Sequence, residues 1–129
     1  MLRKIAAVII ENRKFLVVRD SGQDFFKMPG GKVESNESDE ECLKRELMEE
    51  LSVIPTETEF IGSAIGVTPK GENIDVAFCI TNCKGAYSKE DKIAETVLID
   101  SSHEKDGIKV AKTIDDYLIP RLLELDLID

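Results

Sequence analysis

The sequence predicts an α/β fold, a mixed β-sheet covered by helices, on three observations. Short β-branched segments open the chain, the stretch from Ser38 to Leu51 switches to helical spacing, and strand patterning returns before a last helical stretch. With 129 residues and 14.4 kDa, the chain falls within the usual size of a single domain, and residues 1–129 are read as one unit able to bury a core without metal or disulfide staples.

Lys4 to Glu11 and Lys14 to Arg19 are rich in β-branched residues, and Asn12-Arg13 between them suits a hairpin turn, so two central strands are expected. Ser21 to Asp24 reads as a loop, Phe25 to Met28 as a short strand, and Pro29-Gly30-Gly31 as backbone that bends sharply. Ser38 is a plausible N-cap with Glu41 three residues on, the capping-box spacing, and Asp39, Glu40 and Glu41 suit the positive end of the helix dipole. Cys42, Leu43, Leu47 and Leu51 form one apolar stripe that anchors this helix and leaves its other face to polar chemistry. Glu57 to Val67 and Asn73 to Asn82 follow as strands joined by the turn Thr68-Pro69-Lys70-Gly71, then Thr96 to Ile99 as another. Lys112 to Leu125 has helical spacing, with Pro120 inside it as a source of a kink.

Charge narrows the function. A formal net charge of −9 and a pI near 4.7 argue against a partner held by a broad basic face, so a nucleic-acid polymer is not expected. A small phosphorylated substrate remains compatible, because bound divalent cations invert the local sign of an acidic site. No apolar run reaches the roughly 18 residues of a membrane span, and the N-terminus lacks a signal-peptide pattern, so no membrane partner and a cytoplasmic location are expected. Cys42, Cys79 and Cys83 show no zinc or disulfide spacing and read as small, reduced, buried hydrophobes. No interface is visible in the sequence, and monomer and homodimer stay open.

Glu46, Glu49 and Glu50 stand at i, i+3 and i+4, which places three carboxylates on one side of a helix within reach of a common ion. Like charges so spaced oppose helix formation by roughly 0.2–0.5 kcal/mol per pair. A solvated acidic face is the plain explanation for three glutamates alone. Mg²⁺ or Mn²⁺ is the functional one, since hard cations prefer carboxylate oxygens and keep waters that substrate phosphates replace. The context favours the ion: Gly30 and Gly31 permit close backbone approach, Glu37 brings another acid near the helix start, and Arg45 can orient a carboxylate through a charge-assisted fork.

Gly31, five residues, Glu37, seven residues, then Arg45-Glu46-Leu47-Met48-Glu49-Glu50-Leu51-Ser52-Val53 resembles the Nudix box. Met28-Pro29-Gly30 and Glu34 also look like the family's approach to that box. One position departs: the family's glycine after the paired acids is Ser52 here, which bears on the local turn more than on the metal site. The resemblance implies a Nudix-type α/β/α sandwich with a mixed β-sheet, and a hydrolase that sends water against a phosphorus of a nucleoside diphosphate derivative.

By the same resemblance, Glu46, Glu49 and Glu50 would hold Mg²⁺ or Mn²⁺ with the Gly31 carbonyl as a further ligand, while Glu37 and Arg45 support them. These glutamates and Arg45 form the expected catalytic set. The general base is Glu49, Glu50 or a later acid, of which Glu90 in Ser88-Lys89-Glu90-Asp91 is the first candidate, also as a metal ligand, and Glu95 the second. Arg19, Phe26 and Lys27 are the candidate substrate contacts, although a phenylalanine such as Phe26 is more often simply core. His103 has no patterned partner and is expected in a surface loop, without a catalytic role. Pro69, 16 residues beyond the box, resembles a spacing of ADP-ribose hydrolases, yet its turn accounts for it.

The leading expectation is a small-nucleotide hydrolase of MutT type acting on a nucleoside triphosphate, and the second is an ADP-ribose or nucleotide-sugar pyrophosphatase. A nucleotide-sensing domain without catalysis is the alternative of another class, which the intact glutamates oppose. A purely structural acidic domain is the last, and it would be indifferent to Mg²⁺ and Mn²⁺.

Overall fold

A computed structural model describes residues 1–88 and 92–129. Its elements are β1 Leu2–Val8, β2 Ile10–Glu11, β3 Lys14–Asp20, β4 Gly30–Lys32, α1 Asp39–Leu51, β5 Ile54–Val67, β6 Asn73–Lys84, β7 Ile93–Ile99 and α2 Ile119–Glu124. The fold is mixed α/β as expected, but the strands divide into two sheets. One is four-stranded, in the order β4-β1-β6-β5, with β1 parallel to β6 and the other pairs antiparallel. The second is antiparallel, in the order β2-β3-β7.

The division begins at Ile9. Asn12 and Arg13 both have positive φ, as the tight hairpin turn requires, so the expected turn is present. Its first arm is only Ile10–Glu11, however. The Ala7 N–H donates to the Pro29 carbonyl at 2.8 Å, whereas the Ile9 carbonyl accepts from Leu16 N–H at 3.0 Å, so one extended segment serves both sheets. Residues 5 to 9 are all buried, which is the continuous apolar run of a strand covered on both faces. Ile5 and Ala7 face the core under α1, and Ala6 and Val8 face the core under the C-terminal helical segment.

The helix α1 forms where its local signals place it. The Ser38 side chain accepts from Glu41 N–H at 3.1 Å and the Glu41 carboxylate accepts from Ser38 N–H at 3.0 Å, completing the capping box. Cys42, Leu43, Leu47 and Leu51 are all buried. Burying each leucine contributes about 1.5–3 kcal/mol before chain entropy, which outweighs a repulsion of roughly 0.2–0.5 kcal/mol per glutamate pair. Ser52 ends the helix with φ 56° and ψ 36°, the left-handed conformation in which glycine carries no steric cost.

The Lys112–Leu125 stretch is helical, though not as one regular helix. A π-helical turn, Ile114–Leu118, leads into α2, and Ile119 N–H reaches back to the Ile114 carbonyl. Pro120 explains the wide turn: it has no N–H to give the carbonyl four residues back, and its ring would press on that carbonyl in a regular coil. Ile114, Leu118 and Leu122 are fully buried and close the second core. The short strand expected at Phe25–Met28 reduces to single bridges, Lys27 to Val18 and Phe26 to Val110.

Ser38→Ala should destabilise the fold by about 1 kcal/mol, the usual cost of a lost N-cap. Urea unfolding followed by circular dichroism measures it, and an unchanged midpoint would mean that the capping box adds nothing here.

Candidate active site

The approach to α1 is fixed by two glycines. Gly30 has φ 125°, and a Cβ there would run into the Ile5 carbonyl of the neighbouring strand. Gly31 is needed for a different reason, because a Cβ would occupy the place of the Glu46 carboxyl group. These positions let β4 lie against both β1 and the polar face of α1.

Arg45 organises what lies between. Its Nε donates to Glu37 Oε2 at 2.7 Å and its Nη2 to Glu37 Oε1 at 3.0 Å, a bidentate fork. Its Nη1 donates to Glu46 Oε1 at 2.8 Å, and its Nη2 to the Lys32 carbonyl at 3.2 Å. Glu49 is 3.6 Å from the same guanidinium and Glu34 is 3.7 Å from it. The Arg45 guanidinium holds the Glu37 carboxyl down to about 2, helped by the Glu34 N–H. The supporting pair expected from the sequence is therefore in hydrogen-bonding contact.

Glu50 lies deeper than Glu49. Its carboxylate accepts from the Gly30 N–H at 2.8 Å, and burial pushes its pKa up to about 7 against the opposing pull of that bond and of Lys27 and Lys4. Glu46, Glu49, Glu50, Gly30 and Gly31 all line one cavity of about 1250 Å³. The donors offered there are carboxylate and carbonyl oxygens, and the Glu46 carboxyl group fills the cradle left by the missing Gly31 side chain. The chemistry of that set suits a hard divalent cation, and the three carboxylates would have to draw closer to share one, since among the described residues only His103, Glu104 and Asp115 bring their ligand atoms within 4.8 Å of one another. The Gly31 carbonyl accepts a weak bond from Cys42 Sγ at 3.5 Å.

Of the three expected substrate contacts, the cavity takes in Lys27 but neither Arg19 nor Phe26. Side chains alternate along residues 25 to 27, so Phe25 and Lys27 face the cavity while Phe26 turns into the core. Arg19 is engaged elsewhere, with the Glu95 carboxylate at 3.2 Å and the Gln23 carbonyl at 2.9 Å. Lys27 pairs with Asp20 at 2.7 Å. Glu90 lies outside the described residues. Pro69 also lines the cavity.

Sequence reasoning missed Lys4, Phe25 and Tyr117, which also line the cavity. Lys4 keeps part of its surface exposed, but its ammonium end lies deep, and burial lowers its pKa to about 8. The available signal was a lysine on the same alternating face as Leu2, Ala6 and Val8. Tyr117 stacks on Phe78 with ring centroids 5.6 Å apart, and only its fold partner reveals which way it faces.

His103 is not in a surface loop. It is buried, with Nδ1 at 2.7 Å from the Ile108 carbonyl and Nε2 at 2.7 Å from Asp115. Burial alone would lower the imidazole pKa, yet these two partners outweigh it and raise it. The expectation failed because the partner stands twelve residues away, across a turn whose geometry the sequence does not display. His103, Glu104 and Asp115 line a pocket separate from the glutamate cluster. The three cysteines are free; Cys42 is buried, and burial pushes its thiol up to about 12, while Cys79 and Cys83 are half-buried.

Residues 1–108 match the model of the NUDIX domain. The chain belongs to the Nudix family. It is 28% identical over 120 residues to an ADP-ribose pyrophosphatase of Methanocaldococcus jannaschii, covering 88% of this chain and 71% of that protein. A shorter segment of 62 residues is 42% identical to an 8-oxo-dGTP diphosphatase of Haemophilus influenzae, covering 43% of this chain and 46% of that one. The fold superposes on the solution structure of the E. coli ORF135 protein with a TM-score of 0.80 and 26% identity, over 98% of this chain and 91% of that one. Among the described residues of this Nudix hydrolase, no helix is long and apolar enough to cross a membrane.

Glu37, with its pKa lowered in the folded state, contributes stability that is present above its ordinary value of 4.5 and lost as the pH falls toward 2. Glu37→Gln should therefore destabilise this Nudix hydrolase at neutral pH and flatten the loss of stability across that acid range. Thermal unfolding of both proteins at a series of pH values measures the difference, and parallel curves would contradict it.

Proposed function

We propose that this Nudix hydrolase cleaves a phosphoric anhydride bond of a nucleoside triphosphate, with Mg²⁺ or Mn²⁺ held by Glu46, Glu49, Glu50 and the Gly31 carbonyl. The observation that carries the reading is a single cavity lined both by the three glutamates and by an apolar stretch of the sheet, Val76, Ala64 and Ile74. A phosphate chain suits the first part and a flat heterocycle the second.

The cation would neutralise phosphate charge and lower the cost of activating water at neutral pH. Every other part falls to the chain. Arg45 keeps Glu46 oriented, and Glu50 is fixed by the Gly30 N–H. Glu49, with 60% of its side chain exposed and only a 3.6 Å approach to Arg45, is the least restrained of the three and is our choice to accept the proton of the attacking water. Lysines at positions 4, 27, 32, 92 and 112 line the cavity; Lys27 and Lys112 are paired with Asp20 and Asp116, and the other three suit the higher charge of a triphosphate. The segment similar to the H. influenzae 8-oxo-dGTP diphosphatase favours the same class.

ADP-ribose or a nucleotide sugar is the second reading, supported by the similarity to the M. jannaschii ADP-ribose pyrophosphatase and by Pro69 in the cavity lining. A panel of canonical and oxidised nucleoside triphosphates, ADP-ribose and nucleotide sugars, assayed with MgCl₂ and MnCl₂, separates the two. Turnover should be fastest on a triphosphate, should stop with EDTA and should return with added metal. Glu49→Gln should lower kcat by at least about a hundredfold with an unchanged melting temperature. Retained turnover in that variant would remove Glu49 from the reaction, and metal-independent turnover would overturn the proposed chemistry.

A further inference from the structure

Lys4 stands where the strand pattern calls for an apolar side chain. In β1, Ala6 and Val8 are buried in the core under the C-terminal helical segment and Leu2 packs against it, and Lys4 shares their face by alternation. The pairs Lys32–Lys4, Lys4–Val76 and Val76–Ala64 make one row across all four strands of the sheet. All four residues line the cavity. The row therefore runs from two lysines beside the glutamate cluster to two apolar residues at the far side.

Within that row Lys4 is the cation left wanting a partner. Among the described residues its ammonium makes one hydrogen bond, a long 3.4 Å contact with the Met28 carbonyl, and no carboxylate stands within ion-pair distance. Lys27, by contrast, is paired with Asp20, and Lys32 is exposed. Sinking an ammonium with donors unused is costly, and a side chain such as methionine would fill the same space without that cost. Glu50, Asp20 and Glu46 act on that ammonium only from beyond ion-pair distance, so an anion arriving in the cavity supplies the direct partner that the described residues do not.

We infer that Lys4 is the floor contact for the substrate's phosphate chain, donating to non-bridging oxygens where the chain passes from the glutamate cluster to the apolar floor. This rests on the reading of the cavity as an anhydride-hydrolase site. Lys4 thus sets how far the substrate slides along the row: the phosphates stop above Lys4, and Val76 and Ala64 lie under what is attached to them.

Imidodiphosphate, whose bridging N–H resists hydrolysis, tests this by calorimetric titration in MgCl₂. The proteins compared are wild type, Lys4→Met, Lys4→Gln, Lys4→Arg and, as a control of equal charge change on an exposed turn, Lys105→Gln. Both neutral Lys4 variants should bind at least about tenfold more weakly, as expected for a lost charge-assisted hydrogen bond. Lys4→Arg should retain part of the affinity, Lys105→Gln should match wild type, and Lys4→Met should melt no lower than wild type. Equal binding by wild type and either folded neutral variant would overturn the inference, as would an equal loss in Lys105→Gln or no binding by wild type. Turnover assayed in parallel separates the two ideas. Unchanged binding with turnover intact removes the role of Lys4 and leaves the hydrolase reading standing, whereas Lys4-dependent binding without turnover of any anhydride does the reverse.

Discussion

The guanidinium of Arg45 gathers Glu37, Glu46 and the Lys32 carbonyl around one charge, with Glu34 and Glu49 at its margin. These groups come from β4, the loop after it and α1, so one side chain ties together three successive pieces of the chain. In a protein of net charge −9, a cluster of carboxylates without such a centre would push its own loop away from the helix. The fork to Glu37 also demands planar geometry, which an ammonium cannot supply. The site thus depends on an arginine that the proposed chemistry keeps away from the substrate.

The remaining charge of α1 is arranged against the helix. Glu46, Glu49 and Glu50 stand toward its C-terminal end, where the dipole is negative, and its last turn carries no basic residue. The buried leucine stripe makes the helix affordable despite this, and the glutamates are left with a field that a divalent cation relieves. Gly31 completes the arrangement by leaving room for Glu46, and Gly30 by donating to Glu50. The same cavity then changes character across the sheet, from lysine to valine and alanine along one row of strand partners. A single backbone register therefore runs from the charged part of the cavity to its apolar part.

The parts of the fold governed by neighbours in sequence were legible. The capping box at Ser38, the stripe through Leu51 and the turn at Asn12-Arg13 each depend on residues a few positions apart, and all three are found. Arg45 as a holder of carboxylates was expected from its place four residues before Glu49, but its fork closes on Glu37, eight residues back, and Glu49 stands only at its margin. What escaped depends on partners far along the chain. The switch of sheets at Ile9 needs Pro29 on one side and Leu16 on the other. The exchange of Phe26 for Phe25 at the cavity is a shift of one in alternation, set by bridges to Val18 and Val110. His103 looked exposed because its polar neighbours in sequence give no sign of the distant Asp115 that pairs with its ring. Pro120 announced an irregularity but not its form, since a kink and a wide turn both answer its missing N–H.

Crystals of the protein grown with MnCl₂ and measured at the manganese absorption edge offer the most direct view of the central claim, that the acids of α1 form a metal site held in place by Arg45. The account expects anomalous density bonded to carboxylate oxygens among Glu46, Glu49 and Glu50, with the Arg45 to Glu37 fork intact beside it. Density confined to the His103, Glu104 and Asp115 pocket, or none near α1 at saturating metal, would contradict it.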